Sequence, residues 1–236
     1  EENEDDEKNE DNEINEDDEK SNEVSETKVK WDSIHMNIYD GERLIRTLKQ
    51  KAPKESGVNK WTWRMDEKGG DRPSRRTRSR RGESGGVSVK PGTYKVVMSF
   101  GDQTSETMIT VKDDPRLKIS SQNTNDVYST LKQLEDLQQI AADAIEQLVE
   151  SKTIAEEYSK TLAKLDKKVN KDNIKASKDI AENIEKIIAM YLGTIDKRQG
   201  ITRNPEITVM QRLGQARRYV GSRQNGITST EATLIQ

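Results

Sequence analysis

Lys90 to Arg116 reads KPGTYKVVMSFGDQTSETMITVKDDPR, and the fold is decided there. Pro91-Gly92 opens the stretch as a turn, and from Tyr94 onward apolar and polar residues alternate as in a half-buried strand. Gly101-Asp102 interrupts the alternation, and Met108, Ile109 and Val111 resume it until Asp113-Asp114-Pro115. The pattern predicts a β-hairpin, with Gly101 supplying the positive φ that a two-residue turn needs. Beyond Pro115 the apolar period changes from two to three and four, which is the spacing of a helix. A β-module followed by a helical module is the expected layout.

Upstream, Ile34, Met36 and Ile38 alternate and put three apolar side chains on one face of a strand. Asp40-Gly41 reads as a turn, and Leu44 to Leu48 as the return strand. After a polar loop, Trp61 and Trp63 stand two apart, the spacing of one strand face. Residues 28–116 are therefore expected to form a β-sandwich. The tryptophan pair packs its core or, alternatively, faces solvent to stack on a sugar or a base.

Downstream, Leu131, Leu134, Leu137, Ala141, Ala144, Ile145 and Leu148 begin a stripe that continues through Ala155, Tyr158, Leu162, Leu165 and Val169. This predicts one amphipathic helix of roughly 40 residues, capped by Thr124 or Asn125 and broken at 170–173. Leu134, Ala141, Leu148 and Leu162 are the candidate contacts of the stripe, with an intramolecular bundle or with a partner. A second helix is expected over Ile174 to Leu192. Pro205 suits the first position of a third, whose stripe is Val209, Leu213, Ala216, Tyr219 and Val220. Thr228 or Ser229 caps a fourth that ends at Gln236. The helices over 117–236 read as an antiparallel bundle. The interrupted last helix, and a first residue that is not Met, read as a piece of a longer chain.

Composition adds limits. Only 30% of the 236 residues are hydrophobic and 35% are charged, too little apolar material for one core spanning the whole chain. The net charge of −3 hides a split: residues 1–26 hold 15 acids against 2 lysines, and the rest carries a net +10. Residues 1–27 are expected to be a disordered acidic linker, able to fold back on the basic body or compete with an anionic partner. Its Asp and Asn residues lack the glycine-centred spacing of a calcium loop. Cysteine is absent, which excludes disulfides, thiolate metal sites and cysteine nucleophiles. No apolar run reaches the length of a membrane span, and no signal peptide opens the sequence.

The most concentrated charge outside the linker is the loop 66–86, with Arg72, Arg75, Arg76, Arg78, Arg80 and Arg81. Six guanidiniums suit a phosphorylated or sulphated glycan, lipid phosphates or another polyanion; alternatively the loop is a solvated insertion screened by the acidic linker. Nucleic acid is disfavoured because no aromatic residue is interleaved for stacking. His35 is the only imidazole and reads as a surface or edge residue of the first strand, so no Ser-His-Asp arrangement can be built elsewhere. The nearest approach to a glycosidase carboxylate pair is Asp66 and Glu67 beside Trp63. Gly82 to Gly86 is too short for a phosphate loop. No catalytic residue, metal or cofactor is expected.

Five motifs in order carry a resemblance: Ile38-Tyr39-Asp40-Gly41; Leu44-Ile45-Arg46-Thr47-Leu48; Gly57 and Asn59 ahead of Trp63; Pro91-Gly92-Thr93-Tyr94; and Asp114-Pro115-Arg116 before a long helix. Over about residues 28–236 the chain resembles the C-terminal region of bacterial sortilin-like, BNR-repeat β-propeller proteins, common in Bacteroidetes and often labelled "glycosyl hydrolase". The resemblance implies an immunoglobulin- or fibronectin-like sandwich, similar to that of flagellar hook-capping proteins, closed by helices. It implies an upstream β-propeller on the same polypeptide and a secreted, periplasmic or outer-membrane-associated location. The arginine loop is longer and more basic than that family's pattern, and the acidic linker is longer too. The implied role is a non-catalytic module docking a propeller protein to a protein complex of the bacterial envelope. The alternative is a glycan- or polyanion-binding accessory to a propeller-type glycoside hydrolase.

Overall fold

The computed structural model of the chain describes residues 33–55, 57–76, 83–195, 207–223 and 226–235. The elements run β1 (Ser33–Asp40), β2 (Arg43–Lys51), β3 (Asp66–Lys68), β4 (Gly85–Ser88), β5 (Gly92–Phe100) and β6 (Gln103–Val111). Helices α1 (Ser121–Leu165), α2 (Lys171–Leu192), α3 (Val209–Gly221) and α4 (Ser229–Ile235) follow. An antiparallel β-region precedes C-terminal helices, and both lie within one compact unit. The acidic linker 1–27, Arg78, Arg80, Arg81 and Pro205 lie outside the described residues.

Four strands form a sheet in the order β2-β1-β5-β6, every neighbour antiparallel. Met36 faces Met98 and Ile38 faces Val96, so the alternation in both strands places their apolar sides on one face. Gly41 and Gly101, with φ of 61° and 57°, stand in the two hairpin turns. A register shift opposite Ile38/Tyr39 leaves Ile45 as the extra residue of β2, and Ile45 and Arg46 are both buried. The core beneath the sheet is Ile38, Ile45, Tyr94 and Val96, with Trp63, Val89 and Val111 packed against it. β6 is an edge strand whose residues before Val111 are exposed, Met108 and Ile109 included. Its alternation therefore does not make a buried face.

Two expectations need correction here. Trp61 and Trp63 are not on a strand: the Trp63 indole N–H donates to the Asp66 carbonyl at 2.9 Å, and Met65 takes a φ of 57°, so the chain turns. The stretch 66–86 is not loop throughout, because its ends pair as the β3–β4 ribbon. Glycine permits that pairing: a Cβ on Gly69 would stand 2.3 Å from the Gly85 carbonyl oxygen.

Helix α1 starts earlier than Thr124 or Asn125 predicts. Ser120 is the cap, its Oγ accepting from the Asn123 N–H at 3.1 Å, and Thr124 lies in the first turn. Asp166 closes the helix and α2 begins at Lys171, so the break comes a few residues before 170–173. Lys152 on α1 meets Glu185 on α2 at 2.6 Å, as an antiparallel pair with a short connection requires. The third helix begins at Val209, not at Pro205. Thr208 and Gln211 form a reciprocal capping box that fixes this boundary. Leu134, Ala216 and Val220 make the core between α1 and α3. Glu231 accepts from the N–H and the hydroxyl of Thr228, and Arg223 pairs with it at 2.8 Å, which closes the start of α4.

Candidate functional site

The densest polar geometry lies where the strands meet the helices, and it centres on Glu67. The turn at Met65 and the Trp63–Asp66 hydrogen bond aim β3 so that this carboxylate points inward, with 5% of its side chain exposed. Arg43 grips it with a two-pronged fork, Nη1 to Oε2 at 3.0 Å and Nη2 to Oε1 at 2.8 Å. The Tyr128 hydroxyl on α1 donates to Oε1, and Lys132 Nζ stands 3.5 Å from Oε2. One carboxylate thus joins β2, β3 and α1.

The cluster extends in both directions. Arg46 on β2 donates to the carbonyls of Glu67 and Glu83 at 3.2 Å and to that of Ser84, stitching both sides of the ribbon to the sheet. Lys132 Nζ also binds Glu135 at 2.5 Å, and Arg217 on α3 lies 3.5 Å from that carboxylate. The latter contact is an ion pair without hydrogen-bond geometry, since Glu135 Oε1 is buried with no hydrogen-bond partner. Farther along α1, Gln138 Nε2 donates to the carbonyls of Gly70 and Asp71, and Gln139 accepts from the Asp71 N–H.

These contacts set the protonation states. Burial raises the Glu67 carboxyl, but hydrogen bonds from Arg43 and Tyr128 and the charges of Arg43 and Lys132 outweigh it and hold it below the usual range. Burial and the hydrogen bond to Glu67 push the Tyr128 hydroxyl up. Lys132 is lowered by burial and raised more by Glu135 and Glu67, so it stays charged. Both Glu67 oxygens already accept from protein donors. Such a group holds charge in place, whereas a general acid needs a raised pKa and a free approach.

Beside the cluster, Val87, Val89, Val127, Tyr128 and Leu131 line an open groove of about 220 Å³ between β4 and α1. Lys90 crosses its rim, 5.0 Å from the Tyr128 ring centre and 3.1 Å from Asn125 Oδ1.

The residues singled out in the sequence fall in several places. Trp63 is partly buried against the sheet core, its ring T-shaped to Tyr94 with 5.6 Å between centres; Trp61 is half-buried. Arg72 and Arg76 are exposed. Arg75 is committed internally, 3.1 Å from Glu185 and donating to the Gly193 carbonyl at the end of α2. Leu134, Ala141 and Leu162 are buried by the chain's own elements and Leu148 is partly covered, so these four serve intramolecular packing, whereas Leu137, Ala144, Tyr158 and Leu165 of the same predicted stripe are exposed. Glu67 counted in the sequence only as a weak catalytic carboxylate, and Tyr128, Lys132 and Glu135 were missed. Their signal is a polar column at four- and three-residue steps on α1, beside Val127, Leu131 and Leu134.

Among the described residues no helix is long and apolar enough to cross a membrane. Comparison with family models, with curated proteins and with solved structures gave no match to this chain. The resemblance to propeller-associated C-terminal regions rests on the five quoted motifs alone.

Proposed function

We propose that this chain is a non-catalytic docking module of a secreted or envelope-associated bacterial protein of the sortilin-like, BNR-repeat type, holding an upstream β-propeller to a protein partner of the envelope. The β-region is then an immunoglobulin-like sandwich and the helices a bundle. A tyrosine near the start of a strand whose hydroxyl bonds back to the chain recurs in such sandwiches. Tyr94 does this here, donating to the Lys90 carbonyl at 2.5 Å. The observation that carries the docking reading is the Glu67 junction. It spends buried charge on fastening strands to helices, which an adaptor needs so that a partner held by the helices also holds whatever precedes the strands.

The test is cross-linking of the intact protein in its envelope, with linked peptides mapped by mass spectrometry. Truncation at residue 117 is unsuitable, because it removes Tyr128 and Lys132 from Glu67. Docking expects Lys160, Lys164, Lys175 and Lys178, all exposed on α1 and α2, to link to one stoichiometric partner. An absence of such links would shift the reading to ligand binding. That rival reading, a glycan- or polyanion-binding accessory, draws on exposed Arg72 and Arg76 and on the arginines beyond them. It expects Arg72→Ala with Arg76→Ala to weaken a salt-sensitive affinity for heparin.

A further inference from the structure

Helix α1 carries two apolar stripes, and only one is covered. The seam against α2 includes Ile145 and Ser159 on α1 and Ala181 and Ile188 on α2, all buried. One residue ahead of each stands a member of a second stripe: Ala144, Tyr158, Ile180 and Ile187, all exposed. On α1 this stripe runs from Leu137 through Ile140 and Ile154 to Leu165, and on α2 it ends at Met190. Ile140, Ile154, Tyr158, Ile180, Ile187 and Met190 are 42–67% exposed, far above the 0–1% of the seam isoleucines.

In an antiparallel helix pair, positions displaced from the seam in the same sequence direction lie on the same side of the pair. The two stripes therefore lie on one side of the pair. Both follow columns of alternating three- and four-residue steps, the spacing that receives the knobs of another helix, with Gln147, Ser151 and Thr161 on α1 and Asn183 on α2 as exposed polar members between the apolar ones.

The α1 rim of this face is acidic: Asp136, Asp143, Glu150 and Glu157 recur every seven residues along its outer edge, ending in Lys164. On α2 the matching edge is mixed, with Asp172 and Asp179 interleaved with Lys175 and Lys186. Among the described residues none of these six acids forms an ion pair; Lys152, the nearby seam cation, is engaged by Glu156 and Glu185.

The geometry points to a docking surface for an amphipathic helix of another protein, with apolar residues along its centre and lysine or arginine along its flanks. This rests on the docking reading and assigns it a place and a chemistry. A second copy of the chain fits less well, because face-to-face pairing sets six rim acids and three lysines against the same set. An anionic membrane surface is disfavoured by the same rims.

Three synthetic helical peptides and the full 236-residue chain test the assignment by fluorescence anisotropy. One has a leucine stripe flanked by lysine, the second the same stripe flanked by glutamate, and the third lysine flanks with the leucines replaced by glutamine. The lysine-flanked leucine peptide is expected to bind about tenfold or more tighter than either other, and to weaken with salt. Asp143→Lys with Glu150→Lys should reverse the flank preference. Ile154→Glu with Ile187→Glu should abolish binding while leaving the circular dichroism and the urea midpoint near those of the parent. Equal binding of the lysine and glutamate peptides, or binding indifferent to Ile154→Glu with Ile187→Glu, overturns the assignment. So does self-association in sedimentation that this pair of substitutions removes. If the envelope cross-links persist in the doubly substituted protein, docking stands and this face is not its site. If no cross-links exist in the parent protein, the docking reading itself fails.

Discussion

The two stretches of α1 use residue chemistry in opposite ways. Near the strands the helix buries Glu135 and Gln138, at 3% and 7% exposure; farther along it leaves Ile154 at 66%. Burial follows the presence of a neighbour and its ability to satisfy the group, so hydropathy alone does not predict it. Where three elements meet, directional charge pairs fix how they meet. Where only α2 is at hand, one apolar stripe is used and the other is left over.

The comparison can be tested from either side, starting with the largest effect. Ile145→Ala removes a fully buried seam side chain and is expected to cost about 3 kcal/mol, read as a lower urea midpoint. Ile154→Ala, on the same helix, should stay within about 0.5 kcal/mol of the parent. Equal costs would dissolve the distinction between the stripes. Glu67→Ala should cost about 2 to 3 kcal/mol. That is below the figure for a fully buried pair, because Arg43 is half exposed and water screens it.

Acid titration sharpens the same contrast. The folded Glu67 carboxyl lies below its ordinary value of 4.5, so its stabilisation is complete above that pH and is lost as pH falls through the folded value. Glu231, held down at about 2 by the hydrogen bonds of Thr228 and by Arg223, follows the same sign. Urea midpoints of Glu67→Gln and the parent should therefore converge as pH drops below 4.5, and parallel curves would show that Glu67 carries no linked proton. A smaller effect than at Glu67 is expected at Arg75. Its loss frees Glu185 and the α2 carboxyl end and should cost about 1 kcal/mol by the same measurement, since both partners are partly solvated.

Much of this layout was legible in the residues. Period two marked β1 and β5, the glycine turns marked the hairpins, and the three-four stripe marked α1 and α2. Elements that depend on a distant neighbour were not legible. β3 and β4 are three and four residues long, too short for a period, and exist because Gly69 and Gly86 let two backbones approach. Ser120 lost to Thr124 and Asn125 as the expected cap because all three can cap, and only the completed first turn decides among them. Thr208 with Gln211 was a readable capping box, but Pro205 offered the more familiar cue. The apolar column through Leu134 and the one through Ile140 look alike in the sequence; the path of α2 and α3 decides which is covered. Glu67 and Glu135 carry no local mark of burial, since a surface glutamate reads the same.

One uninterrupted helix of 45 residues also has a mechanical consequence. At 1.5 Å of rise per residue, the end of α1 near Leu165 lies about 50 Å from Lys132, where the charge cluster fastens the helix. The helix acts as a lever with its fulcrum at that cluster. A tilt of about 5° there moves the far tip by about 4 Å, close to the rise of one helical turn. The stiffness of a handful of ion pairs therefore sets how accurately the distant end is placed.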